Sequence, residues 1–203
     1  MDQITQNTPE WFDLKRGKIG ASHMADVLMK PTLAGYRNYQ MKVALERMTG
    51  RTEATYSSYD MQQGIELEPV ARECYMFETG YEVTQIAWVD HPTVPNAGAS
   101  PDGLIEAENG LVEYKCVLPA THANFRLTEE IDRKYLLQMQ WQMACKPNSL
   151  WNDFCSYCPA FPEHMQLKII RVWRDDHKID ELQDAVVKFN RAVDQMVSDL
   201  EAS

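Results

Sequence analysis

The sequence predicts an α/β fold in which a central mixed β-sheet of about five strands is flanked by helices. Segments with apolar residues at helical spacing are separated by segments in which apolar and polar residues alternate, as they do in half-buried strands. Their order is helices, three strands, a helix, two strands and a final helix. This order favours a sheet packed by helices.

The composition is that of an ordinary globular protein. The 203 residues are 44% apolar and 25% charged, enough to bury the core of a single domain. We divide this domain into a helical part at about 1–80, a sheet core at about 81–175 and a C-terminal helix at about 176–201. We see no signal peptide and no window near the ~20 apolar residues of a membrane span. We therefore expect a soluble cytoplasmic protein with no membrane partner.

Four helices are predicted before the first strand. Thr8 caps the first, which two glycines within residues 15–20 end, and a second covers 21–28. The third spans 36–49, before a glycine. The fourth spans 57–79, with Ser58 as its cap. It is expected to turn five side chains mostly inward: Ile65, Val70, Cys74, Tyr75 and Phe77.

The second half of the chain contains the strands. Alternation predicts three of them at 81–89, 94–99 and 111–117, and two more at 150–158 and 167–173. A helix is predicted at 131–145. The final helix, 176–201, carries apolar residues spaced by three and four, which indicates one buried face: Ile179, Leu182, Val186, Phe189, Val193, Met196 and Leu200.

The five cysteines have no disulfide-framework spacing, which fits a reducing compartment. Cys155 and Cys158 form a C-x-x-C that could belong to a metal–sulfur site. Because no second such pair and no histidine at ligand spacing accompany them, we expect buried free thiols instead.

The net charge of −10 argues against a general nucleic-acid binder, but the charge is unevenly distributed. Residues 175–203 contain eight acidic and three basic side chains, whereas residues 15–51 contain eight basic and two acidic ones. An acidic chain of this kind can still offer one basic face to a phosphate backbone.

Residues 100–116 read as two strands joined by a turn at 109–110. Asp102 follows a proline at a bend, while Glu113 and Lys115 are two apart in a strand and point to one face. One interpretation is a solvated strand face with a Glu–Lys pair. The other is a site where the carboxylates hold a hard cation and the lysine acts on a nucleophile or an anionic intermediate.

Two polar residues in predicted helices could join this hairpin. Glu68 could supply a third carboxylate. Gln138 stands among apolar neighbours, so its amide is either a satisfied core group or a residue that positions a phosphate or a water.

These motifs, in this order, resemble the PD-(D/E)XK nuclease superfamily. They are Gly-x-x-x-Glu at 64–68, Ser-Pro-Asp-Gly at 100–103, Glu-Tyr-Lys at 113–115 and Gln-x-Gln at 138–140. The N-terminal pattern Trp11-x-x-Leu14-Lys15-x-Gly17-x-Ile19-x-Ala21-Ser22 narrows the resemblance to the phage lambda exonuclease, or YqaJ-type viral recombinase, family.

The resemblance implies a restriction-endonuclease-like core and one nuclease domain whose helical part binds a DNA end. It implies that Asp102, Glu113, Glu68 and the Tyr114 carbonyl are ligands of two Mg²⁺ ions, with Mn²⁺ as an alternative. Lys115 would then orient or activate the attacking water.

The resemblance also implies a group of residues around the 5′-terminal phosphate: Trp11, Lys15, Arg16, Ser22, Ser100 and Gln138. The family usually has arginine at the position of Lys15, so either Lys15 or Arg16 is expected to bind the phosphate. Trp11 either stands beside the DNA end or is a core anchor, and Ser100 either contacts the phosphate or only caps a turn.

The implied activity is that of a metal-dependent 5′→3′ exonuclease that digests one strand of linear duplex DNA to mononucleotides. The 3′ overhangs would serve phage-type recombination by strand annealing in a bacterial host. Implied partners are 5′-phosphorylated duplex ends, two further copies of the chain in a homotrimer, and a single-strand annealing protein. A PD-(D/E)XK endonuclease and a non-catalytic DNA-binding module stay open as alternatives; the latter predicts a broken Asp102, Glu113 and Lys115 set, which is complete here.

Overall fold

The computed structural model describes residues 4–52 and 59–203, and within these ranges the chain forms seven α-helices and seven strands. None of the helices so described is long and apolar enough to cross a membrane. The mixed α/β class predicted from the sequence is confirmed.

The N-terminal part follows the sequence prediction closely. Helix α1 is Pro9–Lys15, and the Thr8 side chain accepts a hydrogen bond from the Trp11 backbone N–H. A two-residue strand, β1 (Ile19–Gly20), lies where only a break was expected. A 3₁₀ turn at Ala21–His23 leads into α2 (Met24–Val27), and α3 (Ala34–Thr49) ends at a glycine in the left-handed conformation.

Helix α4 is Tyr59–Thr79, and its predicted cap at Ser58 lies outside the described residues. The inward orientation was wrong for Ile65, Val70 and Phe77, which are exposed by 41, 41 and 93%. The buried face instead carries Ala71 and Tyr75, both fully buried, while Cys74 is half-buried. Residues 68, 71 and 75 are three and four apart and share one helix face, from which position 77 points away.

The main sheet is mixed and has four strands in the order β4-β5-β6-β7. Strands β5 and β6 are parallel, and the two outer pairs are antiparallel. The ranges are β4 Gly103–Ile105, β5 Gly110–Cys116, β6 Trp151–Tyr157 and β7 Leu167–Trp173. Instead of one sheet of about five strands, a second sheet pairs β1 with β3 (Ala97–Ala99) and β3 with β2 (Val89–Asp90).

The strand predicted at 81–89 is largely wrong. All of its residues are described, and apart from Val89 in β2 they contribute one isolated bridge, between Thr84 and Leu104. The segment passes the outer edge of β4, and its Tyr81 and Val83 side chains pack against a buried cluster of the core. Its alternation therefore reflects burial on one side and not a continuous strand ladder.

Helix α5 (Pro119–Thr128) was not predicted, whereas α6 (Arg133–Cys145) and α7 (Asp176–Glu201) were. Helices α5 and α6 form the crossover between the parallel strands β5 and β6, a connection that needs such length. The predicted apolar face of α7 is confirmed where it packs on α2, α3 and α6, with five of its residues almost fully buried: Ile179, Leu182, Val186, Phe189 and Val193. The cysteines are all free thiols, and Cys145, Cys155 and Cys158 are buried as expected.

Candidate active site

The β4–β5 hairpin brings Asp102, Glu113 and Lys115 together. Asp102 precedes β4, and its Oδ2 accepts a hydrogen bond from the Tyr114 backbone N–H at 2.8 Å. Glu113 and Lys115 point to one face of β5, as predicted, with Lys115 Nζ 2.5 Å from Glu113 Oε1. The Glu113 side chain is only 1% exposed. The strand face therefore carries a buried ion pair and not a solvated one.

The site contains more acidic than basic side chains. Burial raises the pKa of Asp102, and the carboxylates of Glu113 and Glu68 raise it further. Burial also raises the pKa of Glu68, although Arg72 Nη2 lies 3.1 Å from its Oε1. For Lys115 burial acts to lower the pKa, but the nearby carboxylates outweigh it, so its pKa is raised and the ammonium stays charged.

This set of oxygens suits a hard divalent cation. In the described parts of the chain, no three His, Cys, Asp or Glu side chains already form a complete ligand set. Mg²⁺ does not require one, because it binds one or two carboxylates and completes its shell with water and phosphate oxygens. Burial and the two neighbouring carboxylates raise the pKa of Asp102 in spite of Lys115, so an added cation would offset unfavourable charge there. The residues present therefore fit such an ion.

Two side chains of α6 donate hydrogen bonds to the Glu113 carboxylate. Gln138 Nε2 donates to Glu113 Oε1 at 2.6 Å, and Gln142 Nε2 donates to Oε2 at 2.5 Å. Asn152 Nδ2 on β6 donates in turn to Gln142 Oε1 at 2.7 Å. Gln138 thus contacts a carboxylate, and sequence reasoning missed Gln142 and Asn152. The i, i+4 spacing of the two glutamines could have indicated Gln142, whereas Asn152 gave no signal.

A pocket of about 260 Å³ adjoins this cluster. The hairpin forms one wall, and residues from α1, the 3₁₀ turn and α3 form the other. All six residues assigned to the terminal phosphate line it. Its lining residues include Trp11, Lys15, Arg16, Ser22, His23, Lys42, Ser100, Asp102, Glu113, Lys115 and Gln138. Glu68 is not among the lining residues.

Two of the lysines in this pocket lie outside the ion pairs found within the described residues. Arg16 pairs with Asp13, and Lys18 Nζ lies 2.6 Å from an Asp90 oxygen. Among the described residues, neither Lys15 nor Lys42 has an ion pair. Burial lowers the pKa of Lys15 to about 8, and the charge of Lys42 contributes. Two cations that repel each other in a concave site fit an anionic ligand.

Trp11 and Ser100 form a fixed corner of the pocket. The Trp11 indole N–H donates to the Ala87 carbonyl at 2.7 Å and to Ser100 Oγ at 2.9 Å, and Ser100 Oγ donates to the same carbonyl at 2.6 Å. Trp11 is 8% exposed, and Lys15 Nζ lies 3.7 Å from its ring centroid. Trp11 is therefore an anchor for α1 that also supports Lys15. Ser22 is exposed in the 3₁₀ turn.

Arg47 fixes the backbone just beyond Lys15. Its Nε donates to the Gly17 carbonyl at 2.8 Å, and its two terminal nitrogens reach Asn190 and Asp194 of α7 at 2.7 and 2.6 Å. Gly17 has a φ of 67°, and a Cβ there would lie 2.9 Å from Arg47 Cγ. Only glycine adopts this φ without strain and has no Cβ to collide with Arg47.

Sequence reasoning also missed His23 and Lys42. Lys42 belongs to the basic residues of 15–51, so the charge pattern could have indicated it. His23 stacks on Tyr39 with ring centroids 4.0 Å apart, and its Nδ1 lies 2.8 Å from an Asp26 oxygen. Burial lowers the pKa of His23, so its positive charge is disfavoured.

Residues 10–148 match the YqaJ-like viral recombinase domain. The structure is similar to that of LHK-Exo, an alkaline exonuclease from Laribacter hongkongensis, with a TM-score of 0.90 and 39% identity over 96% of this chain and 97% of that one. A structure of LHK-Exo in complex with dAMP gives 40% identity at the same coverage and TM-score.

A phage-related exonuclease from Haemophilus somnus shares the fold at 14% identity, with a TM-score of 0.75 over 90% of this chain and 96% of that one. No curated protein matches the sequence.

Proposed function

The chain belongs to the YqaJ-like viral recombinase family, which supports a nuclease role in phage-type recombination, and on that basis we propose a specific activity. We propose that it is a metal-dependent 5′→3′ exonuclease of linear double-stranded DNA. It would release mononucleotides from one strand and leave a 3′ overhang for strand annealing.

One observation carries this proposal. The pocket that contains the Asp102, Glu113 and Lys115 hairpin is lined on its other side by Lys15 and Lys42, which have no ion pair within the described residues. An anion bound between these lysines would lie beside the carboxylates. A terminal phosphate fits this arrangement, because it carries more negative charge than an internal phosphodiester. Binding of a strand end beside the carboxylates would favour an exonuclease over an endonuclease.

The residues of the hairpin would divide the chemistry among them. Asp102, Glu113, Glu68 and the Tyr114 carbonyl would hold two Mg²⁺ ions, or Mn²⁺, whose chemistry is to acidify water and to neutralise charge on the scissile phosphate. Lys115, whose raised pKa keeps it protonated, would orient the attacking water or donate to a phosphate oxygen. The charge of Lys115 is unaffected by pH in the neutral range.

The side of the pocket that carries Lys15 and Lys42 would position the strand end. Lys15 is the preferred contact of the pair Lys15 and Arg16, because Arg16 is already paired with Asp13. Ser22 is exposed and can donate a hydrogen bond to a phosphate oxygen. Ser100 already donates its hydroxyl proton to Ala87, so it would have to rotate to contact a phosphate.

The related structure that holds dAMP supports a mononucleotide as the product. From the family membership we also propose a homotrimer, a single-strand annealing protein as partner and action in the cytoplasm of a bacterial host. A trimer predicts a mass in solution of about three times the 23.4 kDa of the chain. Light scattering would measure it, and a monomer at micromolar concentration would contradict it.

The activity is tested with a linear duplex carrying a 5′-phosphate on one strand and a label at either end. We expect release of 5′-mononucleotides from the phosphorylated strand with Mg²⁺ and none with a chelator. Cleavage of closed circular DNA at an equal rate would identify an endonuclease instead. Binding without cleavage under all metal conditions would identify a non-catalytic module.

A further inference from the structure

Two amides from adjacent turns of α6 hold the two oxygens of Glu113. Gln138 binds Oε1, which also accepts from Lys115, and Gln142 binds Oε2. Gln138 lines the pocket, but Gln142 does not and is fully buried. Gln142 therefore cannot contact a substrate directly and can act only through Glu113.

The orientation of the Gln142 amide is determined by its two neighbours. The Glu113 carboxylate can only accept, so the Gln142 NH₂ group must face it and the Gln142 oxygen must face Asn152. Asn152 lies on β6 opposite Leu111 of β5, on the sheet face that α6 covers, and it donates to that oxygen. Asn152 thus supports the orientation in which Gln142 donates to Glu113.

Asn152 holds this position with an unpaired atom. Its side chain is fully buried, and its Oδ1 has no hydrogen-bond donor among the described residues. Its Nδ2 bonds the Gln142 oxygen, which an apolar side chain at the same place would leave buried without that donor. The bond to Gln142 is therefore the contact that an asparagine supplies here.

We propose that Gln142, oriented by Asn152, is a positioning residue that fixes the Glu113 carboxylate for metal binding. This inference rests on the proposed function. Without Gln142, the Glu113 carboxylate would be held by Lys115 and Gln138 through Oε1 alone and could rotate about that oxygen. Hydrogen bonds that orient a metal ligand typically contribute ten- to a hundredfold to affinity.

The same helix offers a matched control. Gln140 is also buried, at 6% exposure, and also makes two hydrogen bonds: its Nε2 donates to the Trp173 carbonyl and its Oε1 accepts from the Asp175 N–H. Neither partner belongs to the pocket. Gln142→Met and Gln140→Met therefore remove a buried amide from one helix by the same substitution, but only the first removes a contact to Glu113.

The test is a calorimetric titration of Mn²⁺ into the full-length protein without DNA, together with a thermal unfolding curve for each variant. We expect Gln142→Met to weaken Mn²⁺ binding by about tenfold. Asn152→Ala should weaken it several-fold, because the Gln142 oxygen then loses its donor and the amide is held by its bond to Glu113 alone. Gln140→Met should bind Mn²⁺ within about twofold of the wild type, even though its unfolding temperature falls.

Three results would overturn the inference: wild-type affinity in Gln142→Met, wild-type affinity in Asn152→Ala, or an equal loss of affinity in Gln140→Met. If Gln142→Met does not fold, Asn152→Ala carries the test. A wild type that hydrolyses DNA with metal while both variants bind Mn²⁺ normally leaves the proposed function intact. A wild type that neither binds metal nor hydrolyses DNA overturns both.

Discussion

Lys115 Nζ lies 2.5 Å from Glu113 Oε1, and the two residues belong to one strand face that opens into the pocket. The carboxylate is almost completely buried, whereas the lysine side chain is 23% exposed. Each charge compensates the other in a poorly solvated place. The pair can therefore keep an ammonium charged at the pocket wall at any neutral pH.

Lys115→Met is expected to lower the rate of DNA hydrolysis by about 10²–10⁴-fold, the range typical of a lost proton donor or water-orienting group. Initial rates on a 5′-phosphorylated linear duplex with saturating Mg²⁺ would measure it. Lys168→Met is the control, because Lys168 pairs with Glu129 and does not line the pocket. A rate for Lys115→Met within tenfold of the control would contradict the assigned role.

Asp102→Asn is expected to raise the unfolding temperature at pH 7 in the presence of a chelator. The pKa of Asp102 is raised in the folded state, so its ionisation costs stability as pH rises above its unfolded value of about 4. Asparagine removes this cost and can still accept from the Tyr114 N–H. The difference should become small near pH 4, where the folded state is protonated and the unfolded state is about half protonated.

Thermal unfolding of both proteins between pH 4 and pH 8 would measure this effect. The wild type should gain stability on addition of Mg²⁺, and Asp102→Asn should gain less and lose DNA hydrolysis. An Asp102→Asn protein that is no more stable than the wild type at pH 7 without metal would contradict the prediction.

The affinity for a 5′-phosphorylated duplex is expected to fall between pH 7 and pH 9. Burial and Lys42 lower the pKa of Lys15 to about 8, so Lys15 is charged below that pH and neutral above it. One pH unit above this pKa, the charged fraction of Lys15 has fallen about tenfold. The affinity for the duplex can therefore fall by at most about this factor. Fluorescence anisotropy with a chelator present would measure binding without cleavage.

Lys15→Arg is the variant that isolates this effect, because arginine stays charged throughout the range. Its affinity should change little between pH 7 and pH 9, and a duplex with a 5′-hydroxyl should show little pH dependence with the wild type. An equally steep fall for Lys15→Arg would assign the titration to another group.

Trp11→Phe is expected to lower the free energy of unfolding by about 1–3 kcal/mol, because the indole N–H donor to Ala87 and Ser100 is lost in a buried place. Urea denaturation would measure it. Phe12→Leu, at a side chain that is 39% exposed, should change the free energy by less than about 0.5 kcal/mol. Equal effects of the two substitutions would show that Trp11 is not an anchor.

The sequence was sufficient for most of the fold because many helices and strands carry strong local signals. Helix α7 has a regular apolar stripe, and Gly50 and Gly80 end α3 and α4 in the left-handed conformation. Helix α5 lacked such a signal, since its Thr, His, Asn and Phe residues are weak helix formers. It is stabilised by tertiary contacts: His122 bonds Ser156 of β6, and Phe125 packs on Phe154.

The site was only partly accessible to sequence reasoning for a similar reason. The spacing of Glu113 and Lys115 within one strand determines that they share a face, so their contact followed from the sequence. Gln142 and Asn152 meet across an α6–β6 packing that no local pattern encodes. The exposed position of Phe77 depends on the rotational setting of α4 against the sheet, which propensity does not determine.

Arg47 joins the turn at Gly17 to the C-terminal helix α7. It connects the turn beside Lys15 to Asn190 and Asp194, more than 140 positions later in the chain. The C-terminal helix therefore supports the backbone turn beside Lys15 through Arg47. A truncation that ends before Asn190 would remove these contacts together with the buried Val193, so a substitution of Asp194 is the change that isolates the effect of this helix on the turn beside Lys15.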